Sequence, residues 1–119
     1  MPSEAPPTPK EVLAWRAIRD NVVLAQSFVA GMTLEQFQLD RRSFYAVTRC
    51  LEIVSEAARR LRGSQQERSP HLEWRAIEDS GNVFRHLYQH VAEDRVWATV
   101  HARLPELLAA AEAALTDAP

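Results

Sequence analysis

Arg41 to Gly63, RRSFYAVTRCLEIVSEAARRLRG, is the stretch that decides the fold class. Phe44, Val47, Leu51, Val54, Ala58 and Leu61 recur at spacings of three and four, so on an α-helix they line one face and leave the arginines and glutamates on the other. The spacing is close to a heptad seam, the pattern of a helix packed lengthwise against its neighbours. Gly63 supplies the stop. A strand would need alternation with a period of two, and no run in the chain shows it.

Working outward toward the N-terminus, Thr33-Leu34-Glu35-Gln36 is a capping box that opens a short helix through Leu39. Before it, Val12, Trp15, Ile18, Val22, Ala25 and Val29 give a longer helix with one apolar face, closed by Gly31. Its start is marked by Thr8-Pro9-Lys10-Glu11, a capping box with proline at the first helical position. Four of the seven prolines fall in the first nine residues, so residues 1–8 read as a flexible Pro-rich leader. Toward the C-terminus, Gly63 to Pro70 is polar and reads as a surface loop. Leu72 to His90 is helical in pattern but interrupted at Gly81-Asn82. A last helix from about Glu93 places Val96, Val100, Leu104, Leu107, Ala111 and Leu115 on one face, with Pro105 kinking or restarting it. The expectation is an all-α, up-down bundle of four main helices plus a short one, with residues 9–116 as one domain.

Composition narrows the function classes. With 14 Lys plus Arg against 16 Asp plus Glu, the net charge is −2, which lacks the basic excess of a protein that coats nucleic acid. Of those cations only Lys10 is lysine; the rest are arginines, suited to phosphate or to interfacial carboxylates. Cys50 is the sole cysteine, so no internal disulfide forms and a reducing, cytoplasmic setting is expected. Met1-Pro-Ser-Glu-Ala lacks the basic and apolar regions of a signal peptide. The longest uncharged run, Asn21 to Leu34, is shorter than the roughly 18 apolar residues of a membrane span, so no membrane partner is expected.

The densest polar chemistry lies in Gly81-Asn82-Val83-Phe84-Arg85-His86-Leu87-Tyr88-Gln89-His90. His86 and His90 are spaced like the histidine pair of zinc metalloproteases. The residue that is glutamate in that motif is Leu87 here, and a third ligand would have to come from Glu93 or Asp94. A pair of surface histidines is the preferred reading of the spacing over a zinc site. Alternatively, His86 moves protons while the adjacent Arg85 holds a phosphate whose charge grows in the transition state. That pair suffices for metal-free RNA cleavage, since the RNA 2′-hydroxyl is itself the nucleophile; the default reading of the pattern alone is the polar face of an amphipathic helix. The runs Arg41-Arg42 and Arg59-Arg60-Leu61-Arg62 read either as an RNA-binding surface or as solvated helix ends. Cys50, Trp15, Trp74 and Trp97 read as core or interface residues, and Glu52 and Glu56 as solvated or supporting carboxylates.

As an ordered series, Gly31-Met32-Thr33-Leu34-Glu35-Gln36-Phe37, Ala46 to Ala57, Trp74-Arg75-Ala76-Ile77, Asn82 to Tyr88, Val96-Trp97 and Leu104-Pro105-Glu106-Leu107 resemble the HepT family, a branch of the HEPN toxins. The resemblance implies a HEPN bundle that forms a homodimer with its active site at the interface. It implies an RNA substrate rather than DNA, no metal or other cofactor, and a minimal nucleotidyltransferase antitoxin that in some systems adenylylates a tyrosine. The family motif is Arg-x4-His-x-Tyr, often with Asn after the Arg. Asn82, His86 and Tyr88 fall on its Asn, His and Tyr, while its Arg falls on Gly81. By resemblance His86 is the general acid/base, Asn82 supports the site and Tyr88 is the modification site. Arg85 is the nearest substitute for the missing phosphate contact, and a Gly81→Arg change would restore the motif. The rival expectation is a non-catalytic interaction module that keeps the bundle and the antitoxin partner.

Overall fold

The computed structural model describes residues 5–82 and 87–119, and among them there is no strand. Helix α1 (Pro9–Val29) begins where expected: Thr8 Oγ1 accepts from Glu11 N, Glu11 answers on Thr8 N, and Pro9 occupies the first turn. Gly31, at φ +76°, carries the chain out of α1 through the left-handed region that a side chain resists. The same reciprocal cap, Thr33 with Gln36, opens α2 (Leu34–Leu39). Asp40 caps α3 (Arg41–Arg59), accepting from Ser43 N and Ser43 Oγ; these bonds hold its carboxyl below the usual range.

Beyond α3 come α4 (Ser64–Glu67), α5 (Trp74–Asp79), α6 (Gln89–Ala98) and α7 (Leu104–Thr116). The all-α expectation holds, and α1 and α3 pack lengthwise as the bundle's centre, with α7 on α1, α5 and α6 on α3, and α2 bridging α3 to α6. The core between them contains Trp15, Ile18, Val22, Phe37, Val47, Leu51, Val96, Leu104 and Leu107, each at most 2% exposed. Burying such a side chain contributes about 1.5–3 kcal/mol. Between α6 and α7, Thr99–Arg103 form a π turn in which Leu104 N–H reaches back five residues to Thr99 O. Pro105 has no N–H to offer and its ring crowds the preceding turn, so the widened turn is the physical form of the expected kink.

Three local expectations are corrected. Gly63 to Pro70 is not a polar surface loop: it contains α4, and Gln65 is fully buried, accepting from Trp15 Nε1 at 2.8 Å. Leu72 to His90 is not one interrupted helix, because α5 ends at Asp79 and Tyr88 is extended (φ −60°, ψ 149°). The final helical run begins at Gln89 rather than Glu93, which puts His90 on α6. Within the leader, residues 5–8 lie against the domain: Pro7 is buried, and Ala5 O accepts from Gln65 Nε2 (3.0 Å) and Arg68 Nη1 (3.2 Å).

Candidate functional site

Of the residues singled out in the sequence, Gly81 and Asn82 follow the end of α5, and Gly81 is pinned to α3. Ser55, 1% exposed on α3, accepts from Gly81 N at 2.7 Å and donates to Ile77 O at 3.0 Å. Ser80 Oγ stands 3.0 Å from Ser55 Oγ and donates to Ile77 O at 2.8 Å. The two serine hydroxyls thus satisfy Ile77 O, a carbonyl near the end of α5. Gly81 lies so close to α3 that a methyl group on it would stand 2.7 Å from Glu52 Cα, 2.9 Å from Ser55 Oγ and 3.2 Å from Leu51 O. The space that a side chain at position 81 would need is therefore taken by α3. A Gly81→Arg change cannot restore the motif unless the connection moves off α3.

A second anchor lies beside the first. Glu78, 8% exposed, accepts from the Arg62 guanidinium at Oε1 and from Gln66 Nε2 at Oε2 (2.8 Å). The Arg62 hydrogen bond holds the Glu78 carboxyl below its usual range, against the opposing effect of burial. Arg59 Nη2 donates to Glu78 O at 2.6 Å, and Gln66 Nε2 also reaches Ala58 O at 2.9 Å. The end of α5 is thus tied both to the C-terminal turn of α3 and to α4.

From this base the chain presents its motif residues. Asn82 is exposed, its N–H donating to Asp79 O at 3.0 Å. Tyr88 is 84% exposed at the start of α6, its carbonyl accepting from Ala92 N. Arg85 and His86, the proposed phosphate contact and general acid/base, lie outside the described residues. Tyr88 is extended rather than helical. Tyr88 is nevertheless open to a partner.

The other candidates separate cleanly. Arg59, Arg60 and Arg62 are committed within the domain, to Glu56 and Glu78. Cys50 is buried, and desolvation raises its thiol above the ordinary value, opposite to what a nucleophile requires. Trp15 and Trp74 meet edge to face at 5.9 Å in the core. Of the carboxylates considered as third zinc ligands, Glu93 is 4% exposed and accepts from Gln89, while Asp94 accepts from Gln38. Among the described residues, no group of three His, Cys, Asp or Glu is placed to hold a metal ion. Among them too, no helix is long and apolar enough to cross a membrane. Sequence reasoning missed Ser55, Gln66 and Glu78. The available signal was a serine at the edge of the α3 seam, four residues after Leu51 and three before Ala58.

The fold is an all-α bundle, and in the sequence Asn82, His86 and Tyr88 follow the end of α5. The profile described as "Ribonuclease HepT-like" matches residues 18–114, and the chain belongs to that family. It is similar to a Methanocaldococcus jannaschii protein named "Putative RNase MJ1216", 30% identical over 81 residues covering 68% of this chain and 67% of that one. It is also similar to a Thermococcus cleftensis protein named "Probable ribonuclease HepT", 28% identical over 90 residues covering 76% of this chain and 82% of that one. No solved structure matches.

Proposed function

We propose that this chain is a metal-independent endoribonuclease toxin that acts in the cytoplasm as a homodimer and is neutralised by a minimal nucleotidyltransferase antitoxin. The observation that carries the reading is membership of the HepT-like ribonuclease family across residues 18–114. His86 and Tyr88 at the family's own spacing support it. In this reading the RNA 2′-hydroxyl attacks the adjacent phosphorus. His86 moves the proton, and Arg85, reaching across the two-fold from the other protomer, holds the charge on the non-bridging oxygens. The P–O5′ bond breaks as the leaving oxygen takes up a proton, which leaves a 2′,3′-cyclic phosphate and a 5′-hydroxyl. Tyr88, exposed at the start of α6, is where the antitoxin would attach adenylate.

A second reading has its own observation. Gly81 not only lacks the motif arginine but has no room for one, which favours an interaction module that keeps the bundle and the antitoxin. Incubating the purified protein in EDTA with an RNA strand and with its all-2′-deoxy counterpart separates the two. The toxin cuts only the RNA and leaves cyclic phosphate ends. The interaction module cuts neither.

A further inference from the structure

The first half of α3 carries cations that the fold does not consume. Arg41, Arg42, Tyr45 and Arg49 are all exposed. At about 100° per residue they fall within an arc on the order of 100° that also contains Glu52, where Gly81 touches α3. The contrast with the second half is sharp. Arg59, Arg60 and Arg62 are neutralised by Glu56 and Glu78, whereas among the described residues Arg41, Arg42 and Arg49 form no ion pair. Asp40, the nearest carboxylate in sequence, accepts from Ser43 and feels the Arg42 charge only weakly, with no ion pair between them. Arg41 instead donates to Tyr45 Oη at 2.8 Å, its guanidinium lying 5.3 Å from the ring centroid. Tyr45 is 58% exposed, and Phe44 meets it edge-on at 5.5 Å, so an aromatic ring is held in place beside unspent positive charge.

We infer that this strip, Arg41-Arg42, Tyr45 and Arg49, is a track along which single-stranded RNA is led over α3 toward Gly81. The inference rests on the ribonuclease reading above and adds the substrate's path. A strand of RNA needs phosphate partners at intervals and an aromatic face on which a base can stack. Arginine provides the first as a planar fork, and Tyr45 provides the second. Arg41 to Glu52 spans about 16 Å of helix, the reach of a few nucleotides, and ends where the motif segment begins. A chain with net charge −2 has no general attraction for RNA, so a local strip of this kind must supply it.

The test is the anisotropy of a labelled 2′-O-methyl oligoribonucleotide, which has no 2′-hydroxyl to attack, titrated over a series of salt concentrations. Wild type is compared with Arg41→Gln/Arg42→Gln/Arg49→Gln, with Tyr45→Ala, and with a control on α1, Lys10→Gln/Arg16→Gln/Arg19→Gln, that loses the same charge. The α3 triple variant should lower the slope of log affinity against log salt by about 2, at roughly 0.7 per phosphate contact on a single strand. Tyr45→Ala should weaken binding about 5- to 100-fold with the slope unchanged, as loss of one base stack does. The α1 control should bind like wild type. The proposal is overturned if the α3 triple variant keeps wild-type affinity and slope, which would leave the strip to a protein partner. It is overturned as well if the α1 control loses as much as the α3 variant. Cleavage of ordinary RNA in parallel keeps the two readings apart. Strip-dependent binding without cleavage leaves the track standing and removes the nuclease. Cleavage with strip-independent binding does the reverse.

Discussion

Replacing Gly81 with alanine adds one methyl group at the point where the motif-bearing connection touches α3. Gly81 does not occupy the positive-φ region, so at an open site the substitution would stabilise by about 0.4–1 kcal/mol through the unfolded chain. Here the methyl carbon meets Glu52 Cα at 2.7 Å and Leu51 O at 3.2 Å, and both belong to the backbone of a central helix. Ordinary carbon contacts lie near 3.5–4.0 Å, so the chain must give by about 1 Å. Side-chain rotation cannot relieve the overlap, and the Gly81–Ser55 hydrogen bond at 2.7 Å lengthens with any retreat. Overpacking of this kind costs typically about 1–3 kcal/mol. With two of the three contacts on backbone, a loss of about 2 kcal/mol is expected. At roughly 3–5 °C per kcal/mol for a chain of this size, the thermal midpoint should fall by about 6–10 °C. Differential scanning calorimetry of the two proteins at pH 7 measures it. A midpoint equal to or above wild type would show that the close approach is not real, and the argument that α3 excludes a motif arginine would go with it.

Further predictions concern the supports of the site and its assembly. Glu78→Gln should destabilise by about 1–2 kcal/mol at pH 7, the scale of hydrogen bonds to a charged group, as read from urea midpoints. Because the Glu78 carboxyl is lowered, its contribution is present above the unfolded value near 4.5 and is lost as pH falls through the lowered folded value. The gap between the two proteins should therefore be constant from pH 6 to 8 and shrink below about pH 4.5; a gap that widens in acid would reverse the assignment. Gln65→Ala should cost about 2–4 kcal/mol in the same assay, since it opens a cavity and strands the Trp15 indole N–H in the core. Sedimentation at tens of micromolar should show a dimer, as the proposed interface site requires, and a monomer throughout that range would count against it.

What the sequence revealed follows from how local each signal is. The two threonine caps and the α3 seam were legible because a cap spans four residues and a seam repeats every turn. The kink at Pro105 was legible because the missing N–H belongs to one residue, although the π form of the turn was not. The burial of Gln65 could not be read, because its partner Trp15 is fifty positions away and a run of polar residues looks like solvent-facing loop. Tyr88 looked helical because the apolar Trp74, Ile77, Phe84 and Leu87 made the stretch to His90 read as helix; its extended backbone is a break that periodicity does not register. Gly81 read only as a helix interruption or a lost arginine. Its close approach to Glu52 depends on a contact between separate elements, and the partners of Ser55, unlike its place at the seam's edge, are hidden for the same reason.

The central claim is that the segment following Gly81 cleaves RNA, and the rate of RNA cleavage by purified wild type and His86→Ala, side by side in EDTA, tests it most directly. The account predicts metal-independent cleavage by wild type and a fall of about 10²–10⁴-fold in His86→Ala, the usual effect of losing a general acid/base. Cleavage at the same rate by both proteins, or by neither, would contradict it.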